Sequence, residues 1–303
     1  MYREFTGLDE AALGPVLGPY CCALVSFHIQ NDRELFDRFS SFKDVKIGDS
    51  KKLYTSGKSI GELENTALSF TSLYTGRVPE TLFELLEELI MDKRYLKDIT
   101  AIPWYTDLSQ LKLPIACERA AISKNSTSLN HFMSEQEIEL DRVVLDAVPA
   151  KRFNQLLSKG LNKSQVCQEI ISPLLSGNFN SGSRITVDRQ GGRRYYGEWL
   201  VDIFPKKPLS IIQETQDLSS YSVDSSTIRF QVKGDDKYLE TALASIFSKY
   251  TRELMMICFN NYWSKRVPGI RKTAGYPQDG KRFIRDLESR NIDFDRQILI
   301  RVR

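Results

Sequence analysis

Hydrophobic and polar positions assign several segments of the chain before any chemistry is considered. Residues 20–30 (YCCALVSFHIQ) run apolar, aromatic and β-branched with hardly a break, as a largely buried strand does. Just before them, GLDEAALGPVLGP at 7–19 alternates small residues and turn formers around the acidic pair Asp9-Glu10. Within PETLFELLEELIM at 79–91, Leu82, Leu85, Leu86, Leu89 and Ile90 form one helical stripe, and Pro79 suits a first helical position. A second helix is expected over about 149–158, stopped by Gly160. Arg184-Ile185-Thr186-Val187 reads as a short strand running into Asp188 and the turn Gly191-Gly192. Ile228, Phe230 and Val232 alternate with polar neighbours at strand period, and the turn Gly234-Asp235-Asp236 leads into a helical run from about Tyr238 to Trp263. Residues 100–135 have weak periodicity and yield no assignment. Strands early, helices late and no repeat or Gly/Ser-rich linker predict an α/β or α+β chain with one principal domain.

Composition narrows the chemistry. The 303 residues carry a net charge of only +3, but from Lys249 to Arg303 there are 13 Lys and Arg against 6 Asp and Glu. That segment is therefore +7 and residues 1–248 total −4, the distribution of a slightly acidic body with a basic surface for a polyanion, or of a solvated helical face. Five scattered cysteines without a CxxC pair read as reduced thiols of an intracellular, cytoplasmic protein. No stretch has the roughly 18 apolar residues of a membrane helix, and MYREFTGLDE does not read as a signal peptide. With His28 and His131 the only histidines, a metal site here has to be built from carboxylates, which favour Mg or Mn.

Carboxylates do stand at element ends: Asp9 with Glu10, Asp188, and Asp235 with Asp236, each beside a glycine or a turn. Acids at strand ends converge on one sheet edge, where two hard cations held by about four of them suit in-line phosphoryl chemistry. Caps and turn formers produce the same pattern, so the spacing alone leaves both readings open.

The local sequences resemble one family in order. GLDEAALGPVLGP resembles the first motif of the type 2 ribonucleases H, which include ribonucleases HII and HIII. Asp49-Ser50-Lys51-Lys52-Leu53 is similar to that family's DSKKL segment, and Thr186-Val187-Asp188 to the strand bearing its third acid. Gly234-Asp235-Asp236-Lys237-Tyr238 resembles ADxKY, residues 244–253 (ASIFSKYTRE) resemble ASIxAKxTRD, and Gly275-Tyr276 matches a late GY. The resemblance implies a ribonuclease H-like mixed central sheet flanked by helices, with a helical basic C-terminal segment at about 249–303. It spans 1–303 as one domain and is weakest over about 54–140, which reads as an insertion. It implies Asp9, Glu10, Asp188 and Asp235 as metal-binding catalytic acids for two Mg2+ or Mn2+ ions. It also implies substrate contacts from Gly14, Ser50, Lys51, Lys249 and Tyr276, with Lys52, Arg193 and Arg194 as further electrostatic candidates. The activity implied is hydrolysis of the RNA strand of RNA–DNA hybrids, with ribonucleotide-containing DNA as a related nucleic-acid partner and no membrane.

The chain departs from the family at one informative place. Where the family has Gly-Arg-Gly or Gly-Lys-Gly to read the ribose 2′-hydroxyl, residues 12–14 are Ala12-Leu13-Gly14. Alanine takes φ > 0 less cheaply than glycine, and leucine has no donor, so discrimination of RNA from DNA is affected more than metal binding. A nucleic-acid-binding protein or a nuclease of altered substrate on the same fold is therefore the alternative. Adjacent strand residues face opposite ways, so Asp9 and Glu10 share one site only if the strand ends or bulges there.

Overall fold

The computed structural model describes residues 3–30, 34–48, 50–54 and 59–302, without the side chains of Lys51 and Lys52. Among these residues, one seven-stranded mixed sheet runs in the order β3-β2-β1-β4-β7-β6-β5. Its strands are β1 (Arg3–Ala11), β2 (Tyr20–Ile29), β3 (Ile138–Val148), β4 (Arg184–Asp188), β5 (Leu209–Glu214), β6 (Leu218–Val223) and β7 (Ser226–Gln231). β1, β4 and β7 lie side by side and parallel; every other neighbouring pair is antiparallel.

The unbroken apolar run of β2 reflects helices on both faces. Cys21, Ala23, Val25 and Phe27 join one core, Tyr20, Cys22 and Leu24 the other. Against the first face lies α10 (Leu239–Arg266), together with α1 (Leu35–Phe39), α2 (Ser50–Leu53), α3 (Gly61–Thr75), α4 (Leu82–Leu89), α5 (Lys93–Thr100) and α6 (Arg119–Glu135). The second face is covered by α7 (Ala150–Leu157), α8 (Lys163–Gly177) and α9 (Gly197–Ile203). The end of α10 forms a third core with α11 (Pro277–Ser289) and α12 (Arg296–Leu299), through Phe259, Trp263, Phe283, Leu287 and Leu299. Gly7 is where β1 meets α10: a Cβ there would stand 2.1 Å from the carbonyl carbon of Glu240, so no side chain fits.

Two sequence expectations shift. The helix expected from Pro79 begins at Leu82, because Thr81 caps it by accepting the Glu84 amide at 3.1 Å. Its leucines 82, 85, 86 and 89 are all buried, and each contributes about 1.5–3 kcal/mol of transfer free energy. Helices are also not confined to the end of the chain, since α1–α6 precede β3. The segment with weak periodicity, 100–135, folds into two short 3-10 turns and α6. Polar anchors stand in for a hydrophobic stripe there. The fully buried Glu64 of α3 accepts the amides of Ile115, Ala116 and Cys117 at 2.6–2.8 Å and the Tyr250 hydroxyl at 2.9 Å, tying that segment to α10.

Candidate active site

Three parallel neighbours bring the acids to one sheet edge. Leu8 pairs with Val187 and Asp188 with Gln231, so Asp9 and Asp188 leave adjacent strands at the same level. Asp235 follows β7 in a tight 3-10 turn over Gly234–Asp236. The Gly234 amide donates to Asp188 Oδ1 at 2.7 Å and fixes that turn against the end of β4. Asp235 is buried and Asp236 exposed, which separates two residues the sequence left in competition.

Asp9 is the electrostatic centre of the group. Burial raises its pKa well above the usual carboxylate range, and the charges of Asp188, Glu10 and Asp235 raise it further against a hydrogen bond from Ser245. Its Oδ1 accepts the Glu10 amide at 2.7 Å, and its carbonyl accepts the Ser248 hydroxyl at 3.0 Å. Ser245 also meets the buried Ser50 at 3.0 Å.

The turn after Glu10 neither ends nor bulges β1 at the acidic pair. The ladder with β2 stays regular through Asp9↔Ala23, Glu10↔Cys22 and Ala11↔Cys21. Asp9 therefore faces α10, as Gly7 does, while Glu10 lies with Leu8 on the α8 side. There its charge adds to burial in raising the pKa of Tyr20 and of Cys167, the latter to about 12. Among the described residues no three His, Cys, Asp or Glu side chains stand at metal-ligand spacing. The donor set itself fits a hard divalent cation: it is all carboxylate oxygen, and the raised Asp9 pKa marks a repulsion that such a cation relieves.

One stripe of α10 connects the acids to the 50–54 segment. Lys249 Nζ donates to the carbonyls of Ser50 and Tyr54, both at 2.9 Å, and pins that segment. Tyr54 donates to Glu253 at 3.2 Å, and burial with the Glu253 charge pushes its pKa to about 12. Arg252, almost fully buried, bonds Glu253 and the Ala274 carbonyl and lies 5.4 Å from the ring of Tyr276. Tyr276 is 51% exposed. Asp49 and the side chains of Lys51 and Lys52 lie outside the described residues.

The loop after the acidic pair is held open by an arginine with no counterpart among the sequence motifs. Ala12 has φ 74°, the left-handed conformation that glycine adopts at little cost, while Gly14 is exposed with no neighbour near its Cβ position. The buried Arg301 donates at 2.6 Å to the carbonyls of both Ala12 and Pro15, and its own amide donates to Val16 at 2.8 Å. Gly275, at φ 80°, accepts the Val16 amide at 2.8 Å; a Cβ on it would stand 2.4 Å from the Leu17 carbonyl oxygen. Leu13 packs half-buried against the α8 core. The basic tail is thus partly internal: Arg252 and Arg301 are buried, Arg282 pairs with Asp279 and Asp286, and Arg290 binds the carbonyls of Pro268 and Gly269. Arg271, Lys272, Lys281 and Arg285 remain exposed.

No protein-family model matches the sequence, and no curated protein does. Among solved structures, the ribonuclease H2 from Pyrococcus horikoshii OT3 is similar over 98% of this chain and 92% of its own, at 15% identity and TM-score 0.50. The chain has a type 2 ribonuclease H-like fold. Two further similar structures are the Archaeoglobus fulgidus ribonuclease HII in complex with PCNA (12% identity, 96% and 90% covered, TM-score 0.48) and the Aquifex aeolicus ribonuclease H3 (13%, 98% and 71%, 0.41). The ribonuclease H-like sheet explains why acids widely separated in sequence meet at one edge. Ser245, Ser248, Tyr54 and Arg301 were not singled out from the sequence. The serines do carry a signal, polar positions one helical turn apart in a buried helix; Arg301 carries none.

Proposed function

We propose that the protein is a divalent-metal-dependent ribonuclease H-type endonuclease that hydrolyses the RNA strand of RNA–DNA hybrids. The observation that carries this reading is Asp9, buried near the end of the interior strand β1 and repelled by Asp188, Glu10 and Asp235 together. Asp9, Asp188 and Asp235 would hold Mg2+ or Mn2+ from the α10 side, with Glu10 contributing from across the strand. When bound, such cations activate a water and neutralise the leaving 3′ oxygen. The chain's own part is positioning. The Ser245 hydroxyl orients the Asp9 carboxylate, the Gly234 amide orients Asp188, and Ser248 anchors the Asp9 backbone. Lys249 and Ser50 act by fixing the 50–54 segment, whose helix α2 carries Lys51; Gly14 stands in the loop after the acidic pair, and the exposed Tyr276 would meet the substrate's sugar. The chain is one ribonuclease H-like domain in this reading, elaborated by the helices between 54 and 140.

The test is incubation with Mg2+ or Mn2+ and labelled duplexes: an RNA–DNA hybrid, DNA with one embedded ribonucleotide, and plain DNA. Cleavage of the hybrid's RNA strand is expected; equal cleavage of plain DNA, or none of any duplex, overturns the assignment. The strained Ala12 and the apolar Leu13 favour a second reading, a binding protein or nuclease of altered substrate, for which the outcome is a duplex bound but left uncut.

A further inference from the structure

A groove of about 1300 Å³ opens beside the acids, between α8, α9 and the loop that follows β4. Leu13 lines it next to the Glu10 side of β1, and Gln190, two residues beyond Asp188, lines it from the end of β4. Gln190 is 4% exposed, yet neither its Nε2 nor its Oε1 has a hydrogen-bond partner. Gln168 of α8, 6% exposed, also lines the groove and leaves its Nε2 without one. Buried amide atoms without partners cost free energy, so the Gln190 amide at the end of β4 and the Gln168 Nε2 on α8 point to a ligand that brings both donors and acceptors.

The surroundings say which ligand. Tyr195 lines the groove with 62% of its surface exposed, a planar face open for stacking. Arg193, which donates to Ser164 at 3.2 Å, and Lys163 place cationic groups at the N-terminal end of α8. The other end is acidic. Trp199 of α9 donates to Ser172, nine residues along α8 from Lys163 and so about 13 Å away, and beside it stand Glu198 and Asp202. A continuing phosphodiester would be repelled there, so the groove suits one base with its phosphate and not a strand.

We propose that this groove takes a single unpaired nucleotide of the substrate, with its base stacked on Tyr195 and hydrogen-bonded by Gln190 and Gln168, and its phosphate on Arg193 and Lys163. The proposal rests on the nuclease reading for its substrate, though not for its chemistry. It makes the protein a reader of bulged or displaced nucleotides beside the cleavage site, a discrimination that Ala12-Leu13 cannot supply.

The test uses the full chain in EDTA at low salt, with fluorescence anisotropy on a paired hybrid and on the same hybrid bearing a one-nucleotide RNA bulge. Intrinsic fluorescence with the four ribonucleoside monophosphates serves as the second probe. The bulged hybrid should bind at least tenfold more tightly, and each of Gln190→Leu and Tyr195→Ala should bring that ratio close to one while leaving the paired hybrid unchanged. Gln190→Leu should not lower the melting temperature, because it removes an unsatisfied amide; Tyr195→Ala, at an exposed position, covers the case in which Gln190→Leu fails to fold. A ratio near one in the natural protein, or one that neither variant alters, overturns the pocket and leaves the nuclease reading standing. Saturable quenching by mononucleotides without binding of either hybrid overturns the nuclease reading and leaves the pocket.

Discussion

Replacing Glu240 with Gln should make the protein more stable above pH 7. Glu240 sits in the first turn of α10, 1% exposed, where Gly7 lets β1 come into backbone contact. Burial raises its pKa from the 4.5 of an ordinary glutamate to about 7, and Glu34 adds to the rise; its own amide, Arg229 and the Thr186 hydroxyl offset only part. A folded-state pKa above the unfolded one means stability that is complete below about pH 4.5 and lost as pH rises through about 7. The shift corresponds to about 3 kcal/mol by pH 8. Glutamine keeps the shape and removes the charge, so the variant should gain up to that amount at pH 8, roughly 5 °C in Tm. The assay is urea and thermal unfolding of both proteins in EDTA between pH 4.5 and 8.5. The curves should converge at the acid end and separate above neutrality. Parallel curves, or a variant less stable at pH 8, would refute the claim that this carboxylate is a buried destabilising charge.

Asp188→Asn retains an oxygen for the Gly234 amide and removes one of the charges that raise Asp9, so it should abolish hydrolysis and raise Tm by a few degrees in EDTA at pH 8; a lowered Tm would show that repulsion among the acids is not significant. Changing the exposed Arg271, Lys272, Lys281 and Arg285 to Gln should flatten the log–log dependence of hybrid affinity on salt by about 0.9 for each phosphate they neutralise, whereas an unchanged slope would move the polyanion surface elsewhere. Ala12→Gly with Leu13→Arg should relieve the left-handed alanine and shift cleavage toward a single embedded ribonucleotide by roughly ten- to hundredfold. Equal incision of hybrid and single ribonucleotide by the natural protein would assign the 2′-hydroxyl contact to another residue.

β2 was legible as an apolar run, and β4 and β7 as short β-branched or alternating segments next to turns; β1, which carries Asp9 and Glu10, was read only as small residues and turn formers. β5 was not legible, since its Ser210, Ile211, Ile212 and Gln213 are all exposed and edge position overrides pattern. α6 escaped because its contacts are spread over Ile122, Leu129 and Met133 among polar residues, and its approach is held by Glu64, a single buried carboxylate that periodicity cannot register. At the site, motif order singled out four acids, three of which follow parallel neighbouring strands to one sheet edge. Their division between two faces of the sheet could not be read, because it depends on whether β1 continues past Glu10. Ala12 was marked as a poor substitute for glycine, and its φ of 74° is one that glycine adopts at less cost.

That geometry persists because it is held from a distance. An alanine in the left-handed region costs about 1–2 kcal/mol, and two short hydrogen bonds from a single buried guanidinium, Arg301, fall on Ala12 and Pro15. Burial, together with the neighbouring charge of Arg252, lowers the Arg301 pKa to about 10, yet it remains cationic at neutral pH. The turn is thus held by Arg301 and by Gly275 rather than by residue 12 itself. Alanine and leucine at positions 12 and 13 therefore sit in a turn whose course is set by contacts from elsewhere in the chain. The acidic edge and the 12–15 loop are held by different contacts, Gly234 on Asp188 and Ser248 on Asp9 against Arg301 on Ala12 and Pro15, so a change at residues 12 and 13 leaves the arrangement of the acids in place.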